Sequence, residues 1–192
     1  MRYNANMRLK PLIFFAIVAS LAGLAIYQEM QNPGPTLQGS IAPDFELKNA
    51  AGEIVRLSDF EGDLVFLNFW ATWCEPCLQE LPAMMTMNET FRDRPFTMLG
   101  ISVDTRWEQV ENYLTENNFE LNTVLDPGQR VKLDYRVTGF PETFLIDGNG
   151  IVLKKYIGAW PWDDARMLAE VEEFLERVES EPTRTSDNAT GD

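Results

Sequence analysis

The chain has 192 residues, of which 45% are hydrophobic and 24% are charged, and this suffices for one domain with one hydrophobic core. Its net charge of −14 disfavours binding to nucleic acid or to an anionic membrane surface. Histidine is absent, which excludes Cys-His and Ser-His nucleophile pairs and removes the commonest metal ligand.

The N-terminal segment combines positive charge with a long apolar run. Arg2, Arg8 and Lys10 lie in residues 1–10, and residues 11–27 carry no charge. As a helix, the run would span about 26 Å, near the lower limit for crossing a bilayer, and it has no polar face for a core helix. We predict a retained signal-anchor there, with residues 1–10 in the cytoplasm and the rest extracytoplasmic; a cleaved signal peptide is the alternative.

The remaining chain divides by composition into three segments. Residues 28–40 contain prolines and glycines that interrupt regular structure, so we predict a linker. Residues 41–179 form the predicted domain, which opens with a β-hairpin over residues 44–60, beside the main sheet. Residues 180–192 lack large apolar side chains and are predicted to be disordered.

Strands and helices alternate along the predicted domain. Apolar runs predict buried strands at residues 64–70, 96–104 and 123–125. Amphipathic spacing predicts helices over residues 107–117, 129–135 and 163–178, and another from residue 76 that Pro82 kinks or restarts. A second hairpin is predicted over residues 139–158, with DGNG as its turn. The fold class is therefore α/β, with a mixed central sheet, parallel then antiparallel, flanked by helices.

The only two cysteines of the chain, Cys74 and Cys77, lie in the stretch WATWCEPC. A structural disulfide explains them poorly, because a loop of four residues constrains little of the unfolded chain. A metal site would lack two ligands, and haem attachment fails because Leu78, not histidine, follows Cys77. A peroxidase would use a lone peroxidatic cysteine, so the close spacing of the two cysteines argues against this activity. A redox-active dithiol remains the favoured interpretation.

A CXXC motif between a buried strand and a helix has a chemical consequence. Cys74 becomes the exposed N-cap, where backbone N–H groups and the helix dipole favour the attacking thiolate. Cys77 lies one turn further on, shielded, and resolves the mixed disulfide. Pro76 stiffens the first turn. Glu75 either opposes the dipole or is an ordinary first-turn acid.

Glu80 lies three residues after Cys77, on the same helical face and one turn deeper. A carboxylate buried among apolar neighbours would have a raised pKa and could exchange protons with Cys77. The alternative is an exposed helix glutamate.

Several stretches together resemble the thioredoxin superfamily and, within it, the membrane-anchored TlpA/ResA/DsbE group. They are APDFEL, FLNFWATWCEPC and PETFLIDGNG. The likeness covers about residues 41–178 and includes the extra N-terminal hairpin and a helix–strand insertion before Pro141. It implies a thioredoxin-like fold and a monomeric thiol-disulfide oxidoreductase that needs no metal and no cofactor beyond its dithiol.

The resemblance also implies a task and its partners. The substrate is expected to be apocytochrome c, whose haem-binding cysteine pair is reduced during cytochrome c maturation, and electrons are expected from a membrane-embedded thiol donor of the CcdA/DsbD type. Cys74 is then the nucleophile, Cys77 the resolving thiol, Glu80 the buried acid and Pro141 a cis-proline that docks the substrate strand. Alternatives are a reductase or oxidant for other exported proteins, such as in spore-envelope assembly, and a non-redox apocytochrome holdase.

The predicted substrate-binding surface includes aromatic residues beside the CXXC motif and Pro141. The predicted substrate-binding residues are Trp73, Glu75, Pro76, Phe140 and Pro141. Phe140 departs from the family, since relatives often have a smaller residue before the proline. Trp70 and Trp73 are predicted to pack the active end. Trp160 and Trp162, in the stretch AWPW, are interpreted as packing residues without a function.

Overall fold

The computed structural model describes residues 37–180. The predicted cytoplasmic N-terminus and signal-anchor, most of the linker and the predicted tail beyond residue 180 lie outside the described residues. Within residues 37–180, no helix is long and apolar enough to cross a membrane.

Twelve elements follow one another along the described chain, in the predicted order. The strands are β1 (Glu46–Lys48), β2 (Ile54–Arg56), β3 (Leu64–Trp70), β4 (Phe96–Ser102), β5 (Thr123–Leu125), β6 (Glu142–Ile146) and β7 (Val152–Ile157). The helices are α1 (Glu75–Phe91), α2 (Trp107–Glu116), α3 (Arg130–Asp134) and α4 (Ala165–Ser180), and a 3-10 turn spans Leu57–Phe60.

All seven described strands form one sheet in the order β2-β1-β5-β4-β3-β6-β7. Strands β3, β4 and β5 run parallel, whereas β6 and β7 continue the sheet antiparallel, which confirms the predicted mixed sheet. The hairpin of β1 and β2 does not lie separately beside this sheet. It extends the sheet, because Lys48 of β1 pairs with Leu125 of β5.

Strand β3 is the centre of the fold, and all of its residues are buried. Side chains alternate between the two faces of a strand, so β3 supplies both halves of the core. Phe66 and Trp70 pack in the cluster that contains the buried faces of α1, α2 and α4, whereas Val65 and Phe69 pack in the cluster that contains those of α3 and β5. This double burial explains the nearly continuous apolar run in the sequence.

The structure refines two local predictions. Helix α1 passes through Pro82 without restarting, and Pro82 lies exposed on its outer side. Strand β4 ends at Ser102 rather than at residue 104, because the chain turns there to bring the Asp104 carboxylate back to the loop after β3.

Gly100 of β4 gives a test of the packing behind the CXXC loop. A Cβ atom there would lie 2.8 Å from Trp70 Nε1 and 3.1 Å from Leu121 Cδ2. Because Trp70 is fully buried and cannot move aside, we expect Gly100→Ala to lower the free energy of unfolding in urea by about 1–3 kcal/mol. The matched control is Gly128→Ala, where no atom lies within 4 Å. An equal loss in both variants would contradict this packing.

Candidate active site

Cys74 and Cys77 form a disulfide at the junction of β3 and α1, with their Cα atoms 5.3 Å apart. Cys74 is the N-cap of α1, with extended backbone, and its Sγ accepts a hydrogen bond from the Cys77 amide at 3.4 Å. Pro76 lies in the first turn, where its missing N–H leaves no helical hydrogen bond unmade. The predicted order of strand, CXXC and helix is confirmed.

The predicted exposure of Cys74 is wrong. Cys74 is only 6% exposed and Cys77 only 1%. The disulfide folds both sulfurs against the first turn of α1, and both cysteines belong to the apolar cluster on that face of the sheet. Glu75 and Pro76 are exposed beside them, and Glu75 accepts a hydrogen bond from Gln79. Cys74 is nevertheless the more accessible member of the pair.

A buried carboxylate anchors the loop between β3 and the disulfide. Asp104, 1% exposed, accepts hydrogen bonds from the Thr72 amide at 2.9 Å and the Thr72 hydroxyl at 2.8 Å. The Ser102 hydroxyl donates a third at 2.8 Å. These bonds fix the backbone two residues before Cys74. Sequence reasoning assigned Asp104 to a strand and missed this contact.

The peptide bond between Phe140 and Pro141 is cis, as the family resemblance implied. Strand β6 runs antiparallel to β3 with Glu142 opposite Phe69, so Pro141 lies level with the end of β3, where the CXXC loop begins. Pro141 is buried, and its carbonyl accepts a hydrogen bond from the Gly158 amide at 2.9 Å. The fold therefore brings together two loops that lie more than sixty residues apart in the sequence.

A second buried carboxylate fixes the loop before Pro141. Glu142 Oε1 accepts hydrogen bonds from the Thr138 amide at 3.0 Å, the Thr138 hydroxyl at 2.8 Å and the Gly139 amide at 3.3 Å. Its Oε2 pairs with Lys155 Nζ at 2.7 Å, and the side chain is fully buried. This role of Glu142 was not predicted from the sequence.

Two aromatic side chains bridge the CXXC loop and the proline loop. The rings of Trp73 and Phe140 meet edge to face with their centroids 5.7 Å apart. Trp73 is 62% exposed and packs on Phe140 at the active end, whereas Trp70 is fully buried. Lys132 Nζ lies 5.1 Å from the centroid of the Phe140 ring. The surface beside the disulfide is therefore aromatic.

Glu80 lies on the buried face of α1, and its side chain is only 3% exposed. Trp162 Nε1 donates a hydrogen bond to Glu80 Oε2 at 2.9 Å, and the Trp160 amide donates another at 3.2 Å. Asn68 Nδ2 donates to Glu80 Oε1 at 3.0 Å. Burial raises the Glu80 pKa to about 7, although these three hydrogen bonds act to lower it. The predicted burial of Glu80 is confirmed, and the exposed alternative is wrong.

The interpretation of AWPW as packing alone is incomplete. Trp162 is fully buried, as expected, but it also binds the Glu80 carboxylate. No local pattern could indicate this contact, because 82 residues separate Trp162 from Glu80. The contact of Asn68 could have been suspected from the sequence, because Asn68 is the one polar residue in the apolar strand LVFLNFW. Its amide also donates to Thr143 Oγ1 at 2.9 Å.

Within residues 37–180, no group of three or more His, Cys, Asp or Glu side chains could hold a metal ion.

Comparison with known proteins adds an independent line of evidence. The model of the AhpC/TSA family matches residues 38–155. The chain is 32% identical over 171 residues to the thiol-disulfide oxidoreductase ResA of Geobacillus thermodenitrificans, covering 88% of this chain and 98% of the relative. It is 30% identical over 154 residues to ResA of Bacillus thuringiensis, covering 80% and 89%.

A solved structure agrees with these relatives. A candidate thiol:disulfide interchange protein DsbE from Chlorobium tepidum superimposes with a TM-score of 0.68 and 33% identity, covering 73% of this chain and 99% of that protein. The family match spans both the CXXC loop and the cis-proline loop. The chain therefore belongs to the AhpC/TSA family of thioredoxin-fold proteins and is a thiol-disulfide oxidoreductase of the ResA/DsbE type.

Proposed function

We propose that this oxidoreductase is anchored by residues 11–27, acts outside the cytoplasm and reduces the haem-binding cysteine pair of apocytochrome c for cytochrome c maturation. The observation that carries the proposal is the Cys74–Cys77 disulfide at a helix N-terminus, level with a cis-proline. The choice of apocytochrome c rests on the resemblance to the TlpA/ResA/DsbE group. The enzyme acts as a monomer and needs no metal or further cofactor.

Reduction of the substrate proceeds in two exchanges. In the dithiol form, the Cys74 thiolate attacks one sulfur of the substrate disulfide, and the other substrate sulfur leaves as a thiolate. Cys77 then attacks Cys74 Sγ, which releases the second substrate sulfur and forms the Cys74–Cys77 disulfide. Two electrons pass from the enzyme to the substrate. A membrane-embedded dithiol donor of the CcdA/DsbD type restores the reduced enzyme.

The N-terminus of α1 explains why Cys74 makes the first attack. The first turn of a helix carries backbone N–H groups without helical partners, and they stabilise a negative charge at the N-cap. Cys74 occupies this N-cap, and the Cys77 amide already points at its sulfur. Cys77 is almost fully buried, so it reaches the mixed disulfide from within the protein.

Glu80 accepts and returns the proton that is transferred during the second exchange. Its pKa of about 7 leaves both forms populated at neutral pH. The carboxylate takes the Cys77 proton as Cys77 attacks, and the resulting acid returns it to the leaving substrate thiolate. No histidine is present to take this role.

The substrate strand docks where the two loops meet. Exposed Trp73 and half-buried Phe140 offer an aromatic surface, with Pro141 beneath it. Glu75 and Pro76 are exposed next to Cys74 and complete the contact. Exposed aromatic side chains offer apolar contact area to an extended chain without requiring a single folded partner.

Trapping identifies the substrate. In Cys77→Ser, the mixed disulfide on Cys74 cannot be resolved, so we expect it to accumulate and to contain a c-type cytochrome precursor. Non-reducing electrophoresis followed by mass spectrometry measures this. Cys74→Ser is the matched control and should trap nothing. Recovery of other exported proteins alone would instead favour a reductase of different specificity.

A serine at both positions separates redox catalysis from binding alone. We expect Cys74→Ser/Cys77→Ser to abolish the assembly of c-type cytochromes, measured by haem staining of membranes, because no electrons can be transferred. The variant should be present in the membrane at the level of the unaltered protein. Cytochrome assembly that persists would support the non-redox holdase.

Glu80→Gln tests the proton transfer. The carboxylate form accepts the Cys77 proton, so the exchange rate of the unaltered enzyme should rise with pH through about 7. In Glu80→Gln this step in the pH profile should disappear, with a rate at pH 7 about a hundredfold lower. Stopped-flow fluorescence measures the rates. Glu89→Gln, on the exposed side of the same helix, is the control; an unaltered profile in Glu80→Gln would refute the role.

A further inference from the structure

We propose that Trp162 is a positioning residue for Glu80: its indole N–H reserves one carboxylate oxygen as an acceptor, so that the acid takes up and releases its proton at the other oxygen, Oε1. The inference deepens the proposed function and rests on the role of Glu80 in exchange. It concerns a residue that lies beyond the part of the chain matched by the family model, which ends at residue 155.

The orientation of Trp162 is determined by packing. Its ring is fully buried and meets the Phe66 ring at 4.7 Å and the Tyr156 ring at 5.0 Å, both edge to face. With aromatic rings on both β3 and β7 holding it, the indole cannot turn its N–H away from Glu80 without disrupting the core. The donor is therefore in place whether or not Glu80 is charged.

The chemistry of the donors selects the oxygen. An indole N–H and a backbone N–H can only donate, and both Trp162 and Trp160 point at Glu80 Oε2. A proton on Oε2 would face these two hydrogens. A proton on Oε1 faces only the side-chain amide of Asn68, which carries both a donor and an acceptor. Protonation is consequently favoured at Oε1.

Asn68 has an unused acceptor that suits this arrangement. Its Oδ1 is buried and has no hydrogen-bond partner among the described residues. A half-turn of the amide would present Oδ1 to a Glu80 Oε1–H group and to the Thr143 hydroxyl, which now accepts from Asn68 Nδ2. The amide can therefore exchange donor for acceptor as Glu80 Oε1 gains its proton, whereas Trp162 donates to Oε2 in both protonation states.

The surroundings of Glu80 contain few competing charges. Its pKa is affected by burial and by its three hydrogen bonds, with no charged residue among the causes. The elements that adjoin Glu80 carry further titratable groups, none of which is among these causes: Glu75 and Glu89 of α1, Lys154, Lys155 and Tyr156 of β7, Asp163 and Asp164 before α4, and the thiols of Cys74 and Cys77 after reduction. Glu142 of β6 lies on the other face of the sheet, because its neighbour Thr143 is the residue that faces Asn68.

Trp162→Phe removes the donor and retains a ring between Phe66 and Tyr156. Since the indole hydrogen bond lowers the Glu80 pKa, its loss should raise that pKa by about one unit. We expect the same upward shift in the midpoint of the exchange-rate profile. The full chain is studied in detergent, with ¹³C-carboxyl-labelled glutamate to titrate Glu80 directly by NMR.

Trp160→Phe is the matched control. It removes an indole that donates to the Ile157 carbonyl, and it retains the backbone N–H that binds Glu80. The Glu80 titration and the rate profile should both match those of the unaltered enzyme. A shift in Trp160→Phe as large as that in Trp162→Phe would overturn the assignment.

The readouts separate this inference from the proposed function. An unshifted Glu80 titration in Trp162→Phe overturns the positioning role, whatever the rates. An unaltered rate profile in Glu80→Gln refutes proton transfer by Glu80, and the NMR titration still decides whether Trp162 positions it. If Trp162→Phe does not fold, replacing the indole at position 162 by its benzothiophene isostere, which lacks the N–H, provides the same comparison with the shape retained.

Discussion

The Sγ atom of Cys74 caps helix α1 by accepting a hydrogen bond from the Cys77 amide. This contact requires strand β3, which precedes the CXXC loop, to end at a fixed point. Strand β3 meets that requirement because it is buried on both faces and pairs with β4 on one side and β6 on the other. A sliding or frayed strand would move the cap away from the helix. The position of the reactive sulfur is therefore set by the core of the fold.

Three buried carboxylates extend this control to the loops around the sulfurs. Asp104 binds the loop before Cys74, Glu142 binds the loop before Pro141, and Glu80 binds the segment after β7. Each carboxylate accepts a hydrogen bond from a backbone N–H group of a loop. These hydrogen bonds compensate for the removal of the carboxylate from water. The loops of the site are therefore attached to the sheet by polar contacts, while the sheet itself is held by apolar packing.

Glu80 differs from Glu142 in its partners. Glu142 has the Lys155 ammonium at 2.7 Å as a counter-charge. Among the residues that the structure describes, only neutral groups contact Glu80, and its pKa lies near neutrality. The proposed role of Glu80, in which the acid gains and loses a proton in each cycle, depends on this neutral environment.

The sequence alone determined the order of the elements, the two hairpins and the CXXC at the start of α1. These depend on local spacing, since strand and helix periods and turn residues act over a few positions. Only the tertiary structure decided that Cys74 is nearly covered, that the first hairpin extends the sheet, and that Trp162 binds Glu80. Such contacts join residues far apart in the chain, and their partners are chosen by packing, on which local periodicity carries no information.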